Sequence, residues 1–166
     1  DLWQCDALEK LGQLRMKRST RVIVAAVLLC FSSLSVSAAE ELQLESHEGK
    51  VVVVDFWASW CVPCRRSFPW MNAMQAKYGD QGLGIIGVNL DQDADAASTF
   101  LKEVPARFRI HYDPEATLAK EFGVEAMPSS FVIGRNGEVV AKHLGFKVKR
   151  QDEYEAVLVD ALGANP

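Results

Sequence analysis

The sequence predicts an α/β domain: a central mixed β-sheet flanked by helices on both faces. Three observations carry this expectation. Short apolar, β-branched runs alternate with stretches of helical periodicity. The connections between them are short, as in layered α/β domains. The last two apolar runs flank Gly134-Arg-Asn-Gly137, a hairpin turn that makes them antiparallel.

Each element has its own signal. Val51–Trp57 is apolar except for Asp55, the pattern of a strand buried on both faces. A helix begins near Pro63, which suits a first turn, and ends near Gly79; Phe68, Met71, Ala73 and Met74 are its inward candidates. Pro69, inside that pattern, is expected to kink it. Leu83–Leu90 reads as a second buried strand, and Asp93–Glu103 as a helix capped by Asp91 or Asp93. Arg107–His111 is a short strand before a turn at Asp113-Pro114. Thr117–Phe122 is a short helix ending at Gly123. Ser130–Ile133 and Val139–Leu144 form the hairpin, and Asp152–Leu162 closes the domain as an amphipathic helix. The order is β-α-β-α-β-α-β-β-α.

With 166 residues, 49% hydrophobic and 24% charged, the chain suits one globular domain with a real core. Its net charge is −4 and its basic residues are scattered, which argues against nucleic acid and anionic membrane surfaces as partners. There is no internal repeat and no low-complexity tract.

The stretch before Glu40 reads differently. Lys17, Arg18 and Arg21 precede the apolar run Val22–Phe31, and small residues at Val36-Ser-Ala-Ala39 lead into Glu40. That is the layout of a secretory signal peptide over residues 16–39. The alternative is an uncleaved N-terminal anchor, although the run is shorter than the roughly 20 apolar residues a spanning helix needs. An acidic lead (Asp1, Asp6, Glu9) does not suit the front of a signal, so residues 1–15 are read as a mis-called extension. The working domain is then 40–166. Processing would remove Cys5 and Cys30 and leave Cys61 and Cys64. A close cysteine pair in an exported protein fits redox chemistry better than a staple, because so short a loop constrains little chain.

The informative segment is Val54-Asp-Phe-Trp-Ala-Ser-Trp-Cys-Val-Pro-Cys64, where a buried strand runs into a Cys-X-X-Cys at a helix N-terminus. Unpaired backbone N–H groups and the helix dipole favour an anion there, which lowers the thiol pKa of Cys61. Only the thiolate attacks a disulfide, so Cys61 is the candidate nucleophile and Cys64, one turn on, the candidate resolving thiol. Half a zinc site and an inert disulfide are the competing readings of such a pair. Zinc wants about four ligands, while His47, His111 and His143 stand singly, so no metal site is expected. Asp55 is costly in a buried strand unless neutral or paired, so its pKa should rise toward neutrality. It could then accept the proton of Cys64; its plainer role is a satisfied polar residue near a strand end. Trp57 and Trp60 are candidates for an apolar rim around the cysteines, with Trp57 equally suited to the core. Arg65 and Arg66 add positive charge near the thiolate or stand solvated.

The decapeptide Asp55–Cys64, with Pro69 beyond it, resembles thioredoxin. Gly49-Lys50, Tyr112-Asp-Pro114, Phe122-Gly-Val-Glu-Ala-Met-Pro128, Phe131-Val-Ile133 and Asn136-Gly137 are similar to the extracytoplasmic TlpA/ResA-like branch. The resemblance spans about Leu42 to Leu162 and implies a thioredoxin fold. It implies a cis Pro128 beside the cysteines, with Met127 and Pro128, and Trp60, on the substrate side, and a matching role for Asp55 in proton transfer. Met127 and Ser129 depart from the family's usual residues here, which bears on partner identity rather than chemistry. No cofactor is implied beyond the redox-active disulfide Cys61–Cys64. The implied partners are disulfide-containing exported clients and a membrane thiol reductase as electron donor, with the protein acting as a monomer in the periplasm or anchored facing it. Cytochrome c maturation is a frequent role in this branch. Val62-Pro63 holds no histidine to stabilise the thiolate, so the couple is expected to be reducing. The alternatives are a module holding a soft metal (Cu(I) or Zn) between two thiolates, and a thiol peroxidase.

Overall fold

Five strands, β1 (Val51–Trp57), β2 (Leu83–Asn89), β3 (Arg109–Tyr112), β4 (Ser129–Ile133) and β5 (Val139–Leu144), form one mixed sheet in the order β3-β2-β1-β4-β5. They belong to a computed structural model that describes Leu42 and residues 47–163. The readings for residues 1–15 and 16–39, with Cys5 and Cys30, lie outside the described residues. β1 runs parallel to β2, and β2 to β3; β4 is antiparallel to β1 and to β5. The helices are α1 (Val62–Tyr78), α2 (Ala94–Glu103), α3 (Thr117–Glu121) and α4 (Gln151–Gly163).

The continuous apolar run of β1 is explained by its central place. Val51, Val53 and Trp57 enter one core cluster with residues of α1, α2 and α4. Val52, Val54 and Phe56 enter a second cluster with Leu118 and Ala119 of α3. Successive side chains of a strand point to opposite faces, so both faces of β1 must be apolar. Asp55 shares the parity of Val53 and Trp57 and so stands on the same side of the sheet as α1. On α4, Tyr154, Leu158 and Ala161 are buried at the spacing of one helical stripe.

Two local expectations are corrected, and one choice left open is settled. Ala73 is exposed: the inward stripe of α1 is Cys64, Ser67, Phe68, Met71, Met74 and Tyr78, and a residue two positions after Met71 points roughly to the opposite side. Strand β3 begins at Arg109 rather than Arg107, because residues before it are tied to α1. The Arg107 N–H donates to Asn72 Oδ1 (2.7 Å), and Asn72 Nδ2 donates to the Pro105 carbonyl (2.8 Å). Asp93, not Asp91, caps α2, its carboxylate accepting from the Asp95 N–H at 2.9 Å. Helix α1 runs as one element from Val62 to Tyr78 with Pro69 inside it.

Candidate active site

The loop after β1 is fixed from below before it reaches the cysteines. Trp57 is fully buried, its ring 5.0 Å from Phe68 and 4.7 Å from Phe100, and its carbonyl accepts from the Leu90 N–H at 2.9 Å. Two residues on, Ser59 is held through both its N–H (2.8 Å) and its hydroxyl (2.9 Å) by the carboxylate of Asp91. Asn89 Nδ2 donates to the same carboxylate at 2.7 Å, and Asn89 Oδ1 accepts from the Asp91 N–H at 3.2 Å. A buried carboxylate that receives three hydrogen bonds is held rigidly in position. Asp91 is therefore the anchor of the loop.

That anchored loop delivers Cys61 to the N-cap of α1. Cys61 has extended backbone (φ −81°, ψ 101°) and Pro63 stands in the first turn, where its missing N–H costs nothing. Cys61 Sγ accepts from the Cys64 N–H at 3.3 Å, so the sulfur occupies the position at which helix termini favour negative charge. Cys61 and Cys64 are joined as a disulfide with Cα atoms 5.3 Å apart. The two residues differ slightly in access: Cys61 keeps 3% exposure and Cys64 none. Among the described residues, no group of three or more His, Cys, Asp or Glu side chains is placed to hold a metal ion.

The other residues singled out in the sequence are distributed unequally. Trp60 is 70% exposed at the lip of the loop, whereas Trp57 belongs to the core and forms no rim. The Met127–Pro128 bond is cis, and Met127 packs against the cluster that contains Cys61 and Cys64. Arg65 does not stand free beside Cys61; it ion-pairs with Glu103 of α2, its guanidinium lying 5.1 Å from the Phe100 ring centre.

Asp55 is 1% exposed, and burial pushes its carboxyl up from 3.8 to about 7, against the opposing hydrogen bond from Ser130. The Ser130 hydroxyl donates to Oδ1, while Oδ2 is buried without a protein partner. Oδ2 belongs to a residue lining a cavity of about 20 Å³, which Ser67 also lines; the Ser67 hydroxyl donates to the Cys64 carbonyl at 3.1 Å. Such a carboxyl exchanges a proton near neutral pH. The sequence reading offered Asp91 only as a helix cap and did not single out Ser59 or Asn89. Their only signal was a pair of acids before one helix, of which a single one can be the cap.

A family model described as Redoxin matches residues 31–158. The chain belongs to the Redoxin family. The chain is similar to thiol-disulfide oxidoreductase ResA of Bacillus thuringiensis subsp. konkukian, 33% identical over 116 residues that make up 69% of this chain and 67% of that protein. It is also similar to a Chlorobium tepidum protein described as thiol:disulfide interchange protein DsbE. The identity there is 48% and the TM-score 0.71, covering 72% of this chain and 85% of the other. StoA from Bacillus subtilis, 24% identical, shares the fold with a TM-score of 0.58, covering 66% of this chain and 83% of its own. The protein is thus a ResA-like protein of thioredoxin fold and a protein thiol-disulfide oxidoreductase.

Proposed function

We propose that the protein reduces disulfides of exported client proteins in the periplasm, with Cys61 as attacking thiolate, Cys64 as resolving thiol and Asp55 as proton acceptor. The observation that carries this reading is the asymmetry of the pair: Cys61 holds the N-cap with residual exposure, and Cys64 is sealed beneath it. An incoming disulfide meets Cys61 first. The Cys61 thiolate attacks one client sulfur, and the other leaves as a thiolate that takes a proton from solvent. Cys64 then gives its S–H proton to Asp55 and attacks Cys61 Sγ. The client's second thiol departs, and the Cys61–Cys64 disulfide holds the two electrons' worth of oxidation. A membrane thiol reductase resets the pair by the reverse exchange.

Trp60, Met127 and Pro128 form the client-facing surface in this reading. A large exposed indole and a half-buried thioether give apolar contact without demanding one sequence. The signal pattern over residues 16–39 supports export, with an anchor facing the periplasm as the variant form. Cytochrome c maturation is the client pathway that the family resemblance suggests. A Cys64→Ser variant expressed with its signal tests the proposal. It should accumulate mixed disulfides between Cys61 and exported proteins. Failure to trap any, with Cys61→Ser trapping through Cys64 instead, would overturn the assignment.

A further inference from the structure

A row of polar side chains, buried at Asp55 and half-buried at Ser130 and His143, crosses the sheet on the side that carries α1. Asp55 of β1 pairs with Ser130 of β4, and Ser130 pairs with His143 of β5. Residues directly opposite on neighbouring strands share a face, so carboxylate, hydroxyl and imidazole stand side by side. Asp55 Oδ2 and His143 Nε2 are both buried without a protein partner. Both residues line the same cavity of about 20 Å³. A space of roughly 10–15 Å³ accommodates one water when polar atoms are there to bind it. Two unpaired buried polar atoms around one such space make a built site for a single bridging water.

The placement of His143 depends on a bulge. Ile133 pairs with Val139, but Val132 pairs with Ala141, so β5 carries one extra residue at this point. In unbroken register Lys142 would stand opposite Ser130. The bulge instead turns Lys142 to the other face, where it lies 5.1 Å from the Phe131 ring centre and donates to the Gly123 carbonyl at 3.0 Å.

We propose that His143 is a proton-relay residue: through one water in this cavity it takes up the proton that Asp55 receives from Cys64 and passes it to solvent. This rests on the assignment of Asp55 as proton acceptor made above. In each turnover the Cys64 S–H bond breaks and an O–H bond forms on Asp55. Carrying that proton off within the same step prevents its return to Cys64 and reversal of the exchange, and Asp55 itself has almost no access to solvent. The water receives it from Oδ2 while giving one of its own to His143 Nε2. The half-buried imidazolium then loses a proton where its ring reaches solvent.

The surroundings suit this path. The ring of Tyr154 of α4 lies 4.9 Å from the imidazole, tilted 60° to it, and Arg150, paired with Glu153 at 2.7 Å, faces it from the turn before α4. From β1 and β4 it meets Asp55 and Ser130; α1 contributes Ser67 and Trp70 to the cavity and no ionisable group. Burial, then the charge of Arg150, hold His143 below its ordinary value, so the ring is neutral at neutral pH and free to accept.

The test is stopped-flow resolution of a preformed mixed disulfide at Cys61. His143→Gln should slow it roughly tenfold between pH 6 and 8, below the full range of general acid–base assistance because solvent can partly substitute. Formation of the mixed disulfide should be unchanged. Added imidazole should restore the rate of His143→Ala. Asp55→Asn/His143→Gln should be no slower than Asp55→Asn alone. A wild-type rate and pH profile in both His143 variants, or slowing that imidazole does not rescue, overturns the relay while leaving Asp55 in place. A wild-type rate in Asp55→Asn removes the acceptor assignment and the relay with it. If the variants fold poorly, NMR titration of the unaltered protein decides: the Asp55 carboxyl carbon and the His143 ring nitrogens should report shared inflections. Independent single inflections contradict the relay.

Discussion

Replacing Asp55 by Asn separates what this residue does for turnover from what it costs the fold. The carboxyl titrates near 7 in the folded protein and at 3.8 ordinarily. The folded state therefore holds on to a proton that the unfolded state releases, and stability falls as pH rises from about 4 to about 7. At 1.36 kcal/mol for each tenfold change in the ionisation constant, the full penalty above pH 7 is about 4 kcal/mol. Asn cannot ionise, but its amide N–H would face the cavity, and an imperfectly paired buried donor costs about 1–3 kcal/mol. The net expectation is that Asp55→Asn gains about 1–3 kcal/mol at pH 8 and loses that advantage at pH 4. Urea melts of the oxidised protein at both pH values measure this difference. Resolution of the mixed disulfide should at the same time slow by about 10²-fold, with its formation intact. A stability change that is the same at pH 4 and pH 8 would refute the argument from burial. Equal resolution rates across pH 6 to 8 would reduce Asp55 to a structural residue.

Three further outcomes are expected. Asp91→Ala removes two hydrogen bonds to the loop that carries Cys61 and one to Asn89 of β2, and should cost about 2–4 kcal/mol in denaturant melts, with client reduction impaired beyond the loss of folded protein. The Cys61–Cys64 couple, lacking a histidine between its cysteines and with Arg65 paired to Glu103, should equilibrate with glutathione nearer to about −270 mV, as for thioredoxin, than to about −120 mV, as for DsbA. Exported protein should begin at Ala39 or Glu40 on N-terminal sequencing; a chain that keeps Val22–Phe31 and partitions with membranes would favour the anchored form.

Much of the sheet was legible because β1 and β2 are buried on both faces and declare themselves as unbroken apolar runs. The hairpin was legible because Gly137, at φ 80°, marks a turn that other residues adopt with strain. Asp55 stood out for the opposite reason, as the one charge in such a run. What stayed hidden depended on contacts between distant segments. Asp91 and Asp93 are equivalent in composition, and only the meeting of the β1 and β2 ends makes one an anchor for Ser59 and leaves the other a helix cap. The start of β3 was set by Asn72, from α1. His143 was the least legible, because a one-residue bulge decides whether it or Lys142 faces the core side, and no periodicity in Val139–Leu144 records that choice.

The central claim is that the two cysteines have different tasks fixed by the helix terminus, and pH-dependent alkylation of the reduced protein tests it most directly. With each cysteine followed by mass spectrometry, Cys61 should react first and titrate below about 8.5, the value of a free thiol, while Cys64 stays unreactive until higher pH. Faster alkylation of Cys64, or a Cys61 that titrates as an ordinary thiol, would contradict the account.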